Sequence, residues 1–241
     1  RQTQGRLGIM TRSEICATGC YRPHVCSGRS SECVMKPKAY YPLFADLRGR
    51  RCVVIGGGMV AQRKVTTLLT YGADLVVISP KVTRRIQQYA AARRLRYVPR
   101  RFAPSDLRGA WLVYATTNDP RINDQVYRTA QRLRIFANIV DQTPLCSFIA
   151  PAIFRRDPLT IAISTGGASP SLAKRLRHDL ESSIGAEYAR MLKLLRSLRG
   201  VAKRTLPSYN DRKRYFDQLV RGRGCDLVRQ GHAQAARQTA L

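Results

Sequence analysis

No stretch of the 241 residues approaches the roughly 18 consecutive apolar positions that a helix needs to cross a bilayer, so no membrane-spanning helix is expected. Acidic residues are scarce: 15 Asp and Glu stand against 43 Lys and Arg, which leaves a net charge of +28. Paired C-x-x-C spacing is also missing. Cys16, Cys20, Cys26 and Cys33 crowd the beginning of the chain with unequal gaps, and even with His24 among them they do not make a zinc pattern. Cys52, Cys146 and Cys225 are scattered, which suits a reducing compartment better than a disulfide framework, and a cytoplasmic protein is expected. Residues 1–34 lack the apolar centre of a secretory signal. They are read as part of an extension over 1–35, with Met35 as a plausible start and a basic, acid-poor transit peptide as the rival account.

What the sequence does have is enough apolar material, 44%, to bury a sizeable core. The positive charge is spread along the whole chain rather than held in a tail, and such a field attracts polyanions: nucleic acid, an anionic surface or a small polycarboxylate. The basic residues form no recognition-helix or aromatic-platform pattern, so no nucleic-acid partner is expected. A non-catalytic nucleotide-sensing or nucleic-acid-binding module on the same fold stands as the alternative to an enzyme.

The sharpest local signal is VVIGGGMVAQRK, residues 53–64. A β-branched run suits a strand buried on both faces, and Gly56, Gly58 and Ala61 have the spacing G-x-G-x-x-G/A. Gly56 would allow a sharp turn, Gly58 would let a pyrophosphate approach the main chain, and Ala61 would let the following helix pack closely on its strand. The phosphate would then meet the positive end of that helix. Downstream, strand and helix signals alternate through residues 50–141. A helix with Val65, Leu68 and Leu69 on one face stops at Gly72; DLVVISP, LRYVPR, AWLVYATT and IFANIVD read as strands; residues 82–94 and RINDQVYRTAQRL read as helices. Such alternation predicts an α/β, Rossmann-type parallel sheet. Ligands of such sheets gather beyond the carboxyl ends of the strands, which selects the glycine turn, Ser79 to Lys81, Thr116 to Asp119, and Asp141. The acid that usually holds ribose at the end of the second strand is absent. Ser79 can bond a ribose hydroxyl while Lys81 and Arg84 would suit a 2′-phosphate, so NAD and NADP both stay open on these residues.

Beyond residue 150 the pattern changes. LTIAIST reads as a strand, and the next helix is expected with Ser169 as N-cap, Pro170 at its first position, a core stripe of Leu172, Leu176 and Leu180, and Gly185 after its last turn. Tyr188, Met191, Leu192, Leu195 and Leu198 share a further helical face, and Tyr215, Phe216, Leu219 and Val220 cluster after Pro207. From about residue 223 no convincing core face is visible, and a flexible tail is expected.

The segments YPLFADLRGRRCVVIGGGMVAQRK, WLVYATTNDPRIN, IFANIVD, SFIAPAIFRRDPLTIAISTGGASPSLAKRLR and NDRKRYF, in this order over about residues 37–221, resemble the precorrin-2 dehydrogenase family, which includes the dehydrogenase and ferrochelatase part of siroheme synthase. The resemblance implies NAD-dependent oxidation of precorrin-2 to sirohydrochlorin in siroheme biosynthesis. It also implies an NAD-binding domain over 36–150, a dimerisation segment over 151–183 joining a homodimer, and a small helical domain over 184–222, leaving 223–241 as the tail. The family's catalytic aspartate falls on Asp141, and its cofactor contacts fall on Met59 and Val60 and on Pro80 and Lys81. With the strand-end positions above, the expected cofactor residues are Gly56, Gly57, Gly58, Met59, Val60, Ser79, Pro80, Lys81, Thr116 and Thr117, with no resident metal site. Some members also insert ferrous iron into sirohydrochlorin; Asp141 could serve that reaction too, with His178 and His232 as weaker candidates. Some siroheme synthases carry a phosphorylatable serine before the paired glycines, where this sequence has Thr165 preceded by Ser164.

The residues agree with what the family implies. Oxidising a reduced tetrapyrrole removes a proton as well as a hydride, and a carboxylate at a strand's carboxyl end can accept that proton. A turn cap near Gln142 and Thr143 is the structural alternative for Asp141. Precorrin-2 carries eight carboxylates, so a strongly basic protein makes a sensible binder for it.

Overall fold

The run R-C-V-V-I forms a strand because both of its faces can be buried. In the computed structural model, which describes residues 39–239, β1 (Arg51–Ile55) turns Cys52 and Val54 to one side and Val53 and Ile55 to the other, all inside. The stretch from Cys16 to Cys33 and Met35 lie outside the described residues. Strands β2 (Asp74–Ile78), β3 (Arg96–Val98), β4 (Leu112–Ala115) and β5 (Phe136–Ile139) complete a five-stranded sheet in the order β3-β2-β1-β4-β5, every pair parallel. This is the expected Rossmann-type sheet, and its order reverses between β1 and β4.

Two layers cover it. Helices α1 (Met59–Thr70) and α2 (Arg84–Ala91) place Ala61, Val65, Leu68, Ile86 and Tyr89 on the face of Cys52, Val54 and Tyr114. Helix α3 (Pro120–Leu133) and the 3-10 turn Pro104–Leu107 place Val126, Ala130 and Leu107 on the face of Val53, Ile55 and Val113. The expected stop at Gly72 is present with φ +71, a left-handed position that suits glycine after a helix end. Between β3 and β4, however, the connection holds only that 3-10 turn, so the alternation of strand and helix is incomplete there.

The second half departs further from expectation. Strand β6 (Ala152–Arg156), hidden in the sequence by Pro151 and by the charge of Arg155 and Arg156, pairs antiparallel with the expected strand, β7 (Leu159–Ile163). Helix α4 (Pro170–Ser183) starts as predicted, with Ser169 Oγ accepting from the Leu172 N–H at 3.2 Å. Its leucine stripe is not core: Leu172 is 50% and Leu176 41% exposed, while small Ala173 is the residue buried. A two-stranded hairpin offers too little surface to cover a full helical stripe, and the small side chain permits the closest approach. Gly185 follows the last turn of α4 as expected and, with φ −81, also serves as N-cap of α5 (Ala186–Thr205). After α6 (Tyr209–Arg221), the residues expected to be a coreless tail form α7 (Arg223–Arg229) and α8 (Ala233–Thr239), whose Val228 and Ala236 pack on Met191 of α5. The contact relies on small and isolated apolar residues, which is why no stripe announces it. Val228 is 1% exposed and Val220, on α6, 49%. Val228→Asp should therefore lower the unfolding free energy by about 3 kcal/mol, the scale of an unpaired buried charge, against less than about 0.5 kcal/mol for Val220→Asp. Urea midpoints measure both.

Candidate active site

At the carboxyl end of β1 the chain turns through three glycines, each under a different constraint. Gly56 has φ +110, and a side chain there would begin 2.5 Å from Thr116 Oγ1, at the end of β4. A side chain on Gly57 would begin 2.0 Å from the Lys81 carbonyl oxygen and 2.8 Å from Val82, in the loop after β2. Gly58 faces open space, with nothing within 4 Å, and is the N-cap of α1 without any side-chain cap. The glycine spacing attaches close approach to Gly58 and gives no sign of Gly57, whose neighbours lie more than twenty positions away. Met59 and Val60 open α1, with Met59 63% exposed, and no acidic side chain occupies that helix's first turn. An open glycine at the positive end of a helix is what a pyrophosphate needs to reach main-chain N–H groups. Ala61, fully buried, lets α1 lie close on the sheet.

The neighbouring loops are fastened to this turn. Ser79 donates its hydroxyl to the Lys81 carbonyl at 2.7 Å, the Pro80 carbonyl accepts from Tyr97 Oη at 3.3 Å, and the Thr83 N–H donates to the Gly57 carbonyl at 3.0 Å. Pro80 and Lys81 are exposed. Just after β4, both the hydroxyl and the N–H of Thr116 donate to the Ile55 carbonyl at 2.8 Å. Thr117 Oγ1 accepts from the Asp119 N–H at 3.1 Å, while the Asp119 carboxylate caps α3 by accepting from the Arg121 N–H at 2.9 Å. The hydroxyl hydrogens of Ser79 and Thr116 are thus engaged in holding the loops.

Asp141 follows β5 in the left-handed region, φ 62, which a non-glycine residue occupies at a cost of about 1–2 kcal/mol. Its carboxylate is exposed and makes no hydrogen bond or ion pair with any described residue. The turn-cap alternative fails, because the 3-10 turn Thr143–Leu145 has Gln142 as N-cap with no side-chain bond. The chain is held in this reversal from behind. Ile139 N–H donates to Cys146 Sγ, Cys146 Sγ donates back to the Ile139 and Gln142 carbonyls, Ala137 N–H donates to Ser147 Oγ at 2.7 Å, and Asn138 Nδ2 donates to the Phe148 carbonyl at 3.0 Å. In N-x-V-D the asparagine is therefore a buried fastener and the aspartate the group on display. The glycine pair of STGGASP also arrives here: a side chain on Gly167 would begin 3.4 Å from Thr143 Cγ2. Thr165 Oγ1 accepts from the Ser169 N–H and donates to its carbonyl, both at 3.1 Å, so this turn caps α4 and abuts the loop after Asp141.

One cation beside this architecture carries no signal in the sequence. Lys64 of α1 stands 4.9 Å over the Tyr114 ring, and burial, reinforced by the Arg63 charge, holds its pKa below the ordinary lysine value. His178 is exposed on α4 with Nδ1 3.7 Å from Glu181, and His232 is exposed between α7 and α8. Among the described residues no three His, Cys, Asp or Glu side chains gather as a metal site would require.

Three family models match the chain in succession: a putative NAD(P)-binding domain over residues 43–152, a sirohaem biosynthesis protein central region over 156–183, and a sirohaem synthase dimerisation region over 187–241. The chain belongs to the siroheme synthase family. The siroheme synthase of Photobacterium profundum is 37% identical over 202 residues, covering 84% of this chain and 43% of that protein. Siroheme synthase 1 of Serratia proteamaculans is 37% identical over 200 residues, 83% of this chain and 42% of that protein. The chain thus spans less than half the length of these curated relatives. Among solved structures, "SirC, precorrin-2 dehydrogenase" superposes with a TM-score of 0.68 at 28% identity, covering 83% of this chain and 98% of that one. The region described as dimerising is 187–241, whereas the resemblance had placed the subunit-joining segment at 151–183. Helices α7 and α8 fall inside it.

The three glycines should separate in their response to substitution. Gly57→Ala forces the Lys81 backbone away and should cost about 2 kcal/mol of stability, typical of overpacking. Gly58→Ala, directed into solvent at φ −79, should change the thermal midpoint little.

Proposed function

We propose that this chain oxidises precorrin-2 to sirohydrochlorin with NAD+ as hydride acceptor, the dehydrogenase step of siroheme synthesis. The observation that carries the reading is the free Asp141 carboxylate, held in a left-handed turn at the same end of the sheet as the open glycine turn. β1, β4 and β5 are adjacent in that order, so at roughly 4.8 Å per strand the two features lie about 10 Å apart across the strand ends. That spacing suits a dinucleotide whose pyrophosphate sits at Gly58 and whose far ring reaches toward β5.

When bound, the dinucleotide supplies the acceptor for the hydride. The protein's part is the rest: Gly58 and the first turn of α1 hold the pyrophosphate, and the loops of Thr116 and Asp141 border the reacting end. Asp141 Oδ takes the proton that must leave the tetrapyrrole with the hydride. Its freedom from any cation in the described residues leaves it available as a base. The net charge of +28 draws a substrate with many carboxylates toward the protein. Leu172 and Leu176, exposed on α4, together with the match to a dimerisation region, support a homodimer as the working unit.

Purified protein incubated with precorrin-2 and NAD+ should develop the absorbance of sirohydrochlorin. Asp141→Ala should retain its thermal midpoint and its NAD+ affinity while turnover falls by about a hundredfold or more, the scale for losing a positioned general base. Near-normal turnover in that variant would send the proton elsewhere. Gly58→Val, whose Cβ would point into open space, should fold like the parent and lose dinucleotide binding in a calorimetric titration.

A further inference from the structure

Most cations of this chain stand in water or against a partner. Lys81 and Arg84, beside the glycine turn, are exposed and form no ion pair with any described residue. Arg85 and Arg94 lie over the Tyr89 ring, and Arg100 is taken by Asp106 at 2.6 Å. Lys64 is different. It is half-buried in the second turn of α1, its ammonium rests 4.9 Å over the Tyr114 ring, and it forms no ion pair or hydrogen bond with any described residue. Burial, and then the Arg63 charge, hold its pKa below the ordinary lysine value. The folded chain thus disfavours the charge that Lys64 carries at neutral pH, and this opposition to folding fades only as pH rises toward the ordinary lysine value. The ring contact recovers part of the loss. A methionine would fill the same space with no charge to desolvate.

The wall that Lys64 borders is aromatic. Helices α1 and α2 pack over β1, β2 and β3. On the same face of the sheet β4 and β5 contribute Tyr114 and Phe136, each edge-on to Phe148 with ring centres 5.3 and 6.3 Å apart, and Phe136 is exposed. Tyr114 pairs across the sheet with Asn138, three residues before Asp141, so the wall lies about 10 Å from the Asp141 turn along β5. An aromatic wall with one uncompensated cation at its border, leading to a free carboxylate, is complementary to a flat apolar ring that carries carboxylates on its rim.

We propose that Lys64 is a specificity-determining residue of the oxidation: its ammonium receives a peripheral carboxylate of the tetrapyrrole, whose ring lies along Tyr114, Phe148 and Phe136. The proposal rests on the dehydrogenase reading and names the cation that orients the substrate. A carboxylate supplies the countercharge that the fold withholds from Lys64, and a half-buried pair is screened by salt less than one in open solvent. The net charge of +28 draws the polyanion in from any side, and Lys64 fixes which way round it sits.

Steady-state kinetics with precorrin-2 and NAD+, together with titration of sirohydrochlorin, test it in the full chain. Lys64→Met should raise the KM for precorrin-2 and the Kd for sirohydrochlorin by about tenfold or more, with kcat changed far less and NAD+ affinity unaltered. Its thermal midpoint should equal or exceed the parent's, since the substitution removes an uncompensated cation. Lys64→Arg should keep most of the affinity. Arg132→Met, in the last turn of α3, removes one charge elsewhere and should leave the KM as it was. An unchanged KM and Kd in Lys64→Met would overturn the proposal. So would an equal rise in Arg132→Met, which would assign the effect to net charge, and so would a lowered thermal midpoint in Lys64→Met, which would assign the lysine to packing against Tyr114. The dehydrogenase reading fails separately: a parent that makes no sirohydrochlorin from precorrin-2 removes that reading and this inference with it, whereas turnover with a KM indifferent to Lys64 removes this inference alone.

Discussion

The Lys81 carbonyl lies so close to Gly57 that no other residue fits between β1 and the loop after β2, and much of the site follows from that contact. It is paired with a second one, between Gly56 and Thr116 at the end of β4. Together they draw three strand ends into one backbone surface, with Thr83 N–H to Gly57 and Thr116 to Ile55 as the hydrogen bonds that hold it. Because these two glycines are consumed by packing, the third, Gly58, is left facing outward at the start of α1. Three consecutive glycines thus divide into two that pack and one that stays open. An open backbone at the positive end of a helix is useful to a phosphate only if the surrounding chain is rigid, and the packed pair supplies that rigidity.

The loop after β5 illustrates the opposite arrangement, with strain at the front and fastening behind. Holding Asp141 in a left-handed conformation costs about 1–2 kcal/mol. The returning segment makes several hydrogen bonds to β5, through Cys146, Ser147 and the Phe148 carbonyl, each worth roughly 0.5–1.5 kcal/mol net, which is enough to offset that cost. None of these bonds involves the Asp141 carboxylate. The turn can therefore be stable while its one displayed functional group stays unengaged, and an unengaged carboxylate is what proton transfer needs.

How much of this the sequence discloses depends on whether the determining contacts are local. The sheet was legible because strands buried on both faces need continuous β-branched runs, as in RCVVI and DLVVI, and because α3 carries a regular apolar face after an Asp-Pro start. The cap at Ser169 was legible for the same reason. Asp141 was singled out as a candidate by motif resemblance and by its place at a strand end, but its left-handed backbone was not foreseen, since Asp tolerates both conformations. Gly57 and Asn138 were missed as structural determinants because their partners, Lys81 and Phe148, are distant in the chain and contribute a carbonyl that no side-chain pattern records. The α4 leucines misled for another reason: a helical stripe shows an apolar face, not that the described part of the chain covers it. Helices α7 and α8 gave the converse error, because a small core of Met191, Val228 and Ala236 has too few apolar positions to show a period.

Charge links the site to the rest of the surface. With 43 basic against 15 acidic residues, most arginines have no acidic partner to find, and several rest on aromatic rings instead: Arg50 on Trp111, and Arg85 and Arg94 on Tyr89. The ion pairs that do form are mostly exposed neighbours along a helix, such as Arg128 with Asp124 and Arg175 with Asp179, and pairs of that kind add little stability. Excess positive charge on this scale therefore works against the fold through self-repulsion and is not explained by packing. A polyanionic ligand would change that balance, since its negative charges would relieve the repulsion on binding and the relief would add to affinity. The same field would capture any anion indiscriminately, so selectivity has to come from where cations are left unpaired beside a rigid backbone. Lys81 and Arg84 at the glycine turn meet that condition, and Arg85, Arg94 and Arg100 further along the chain do not.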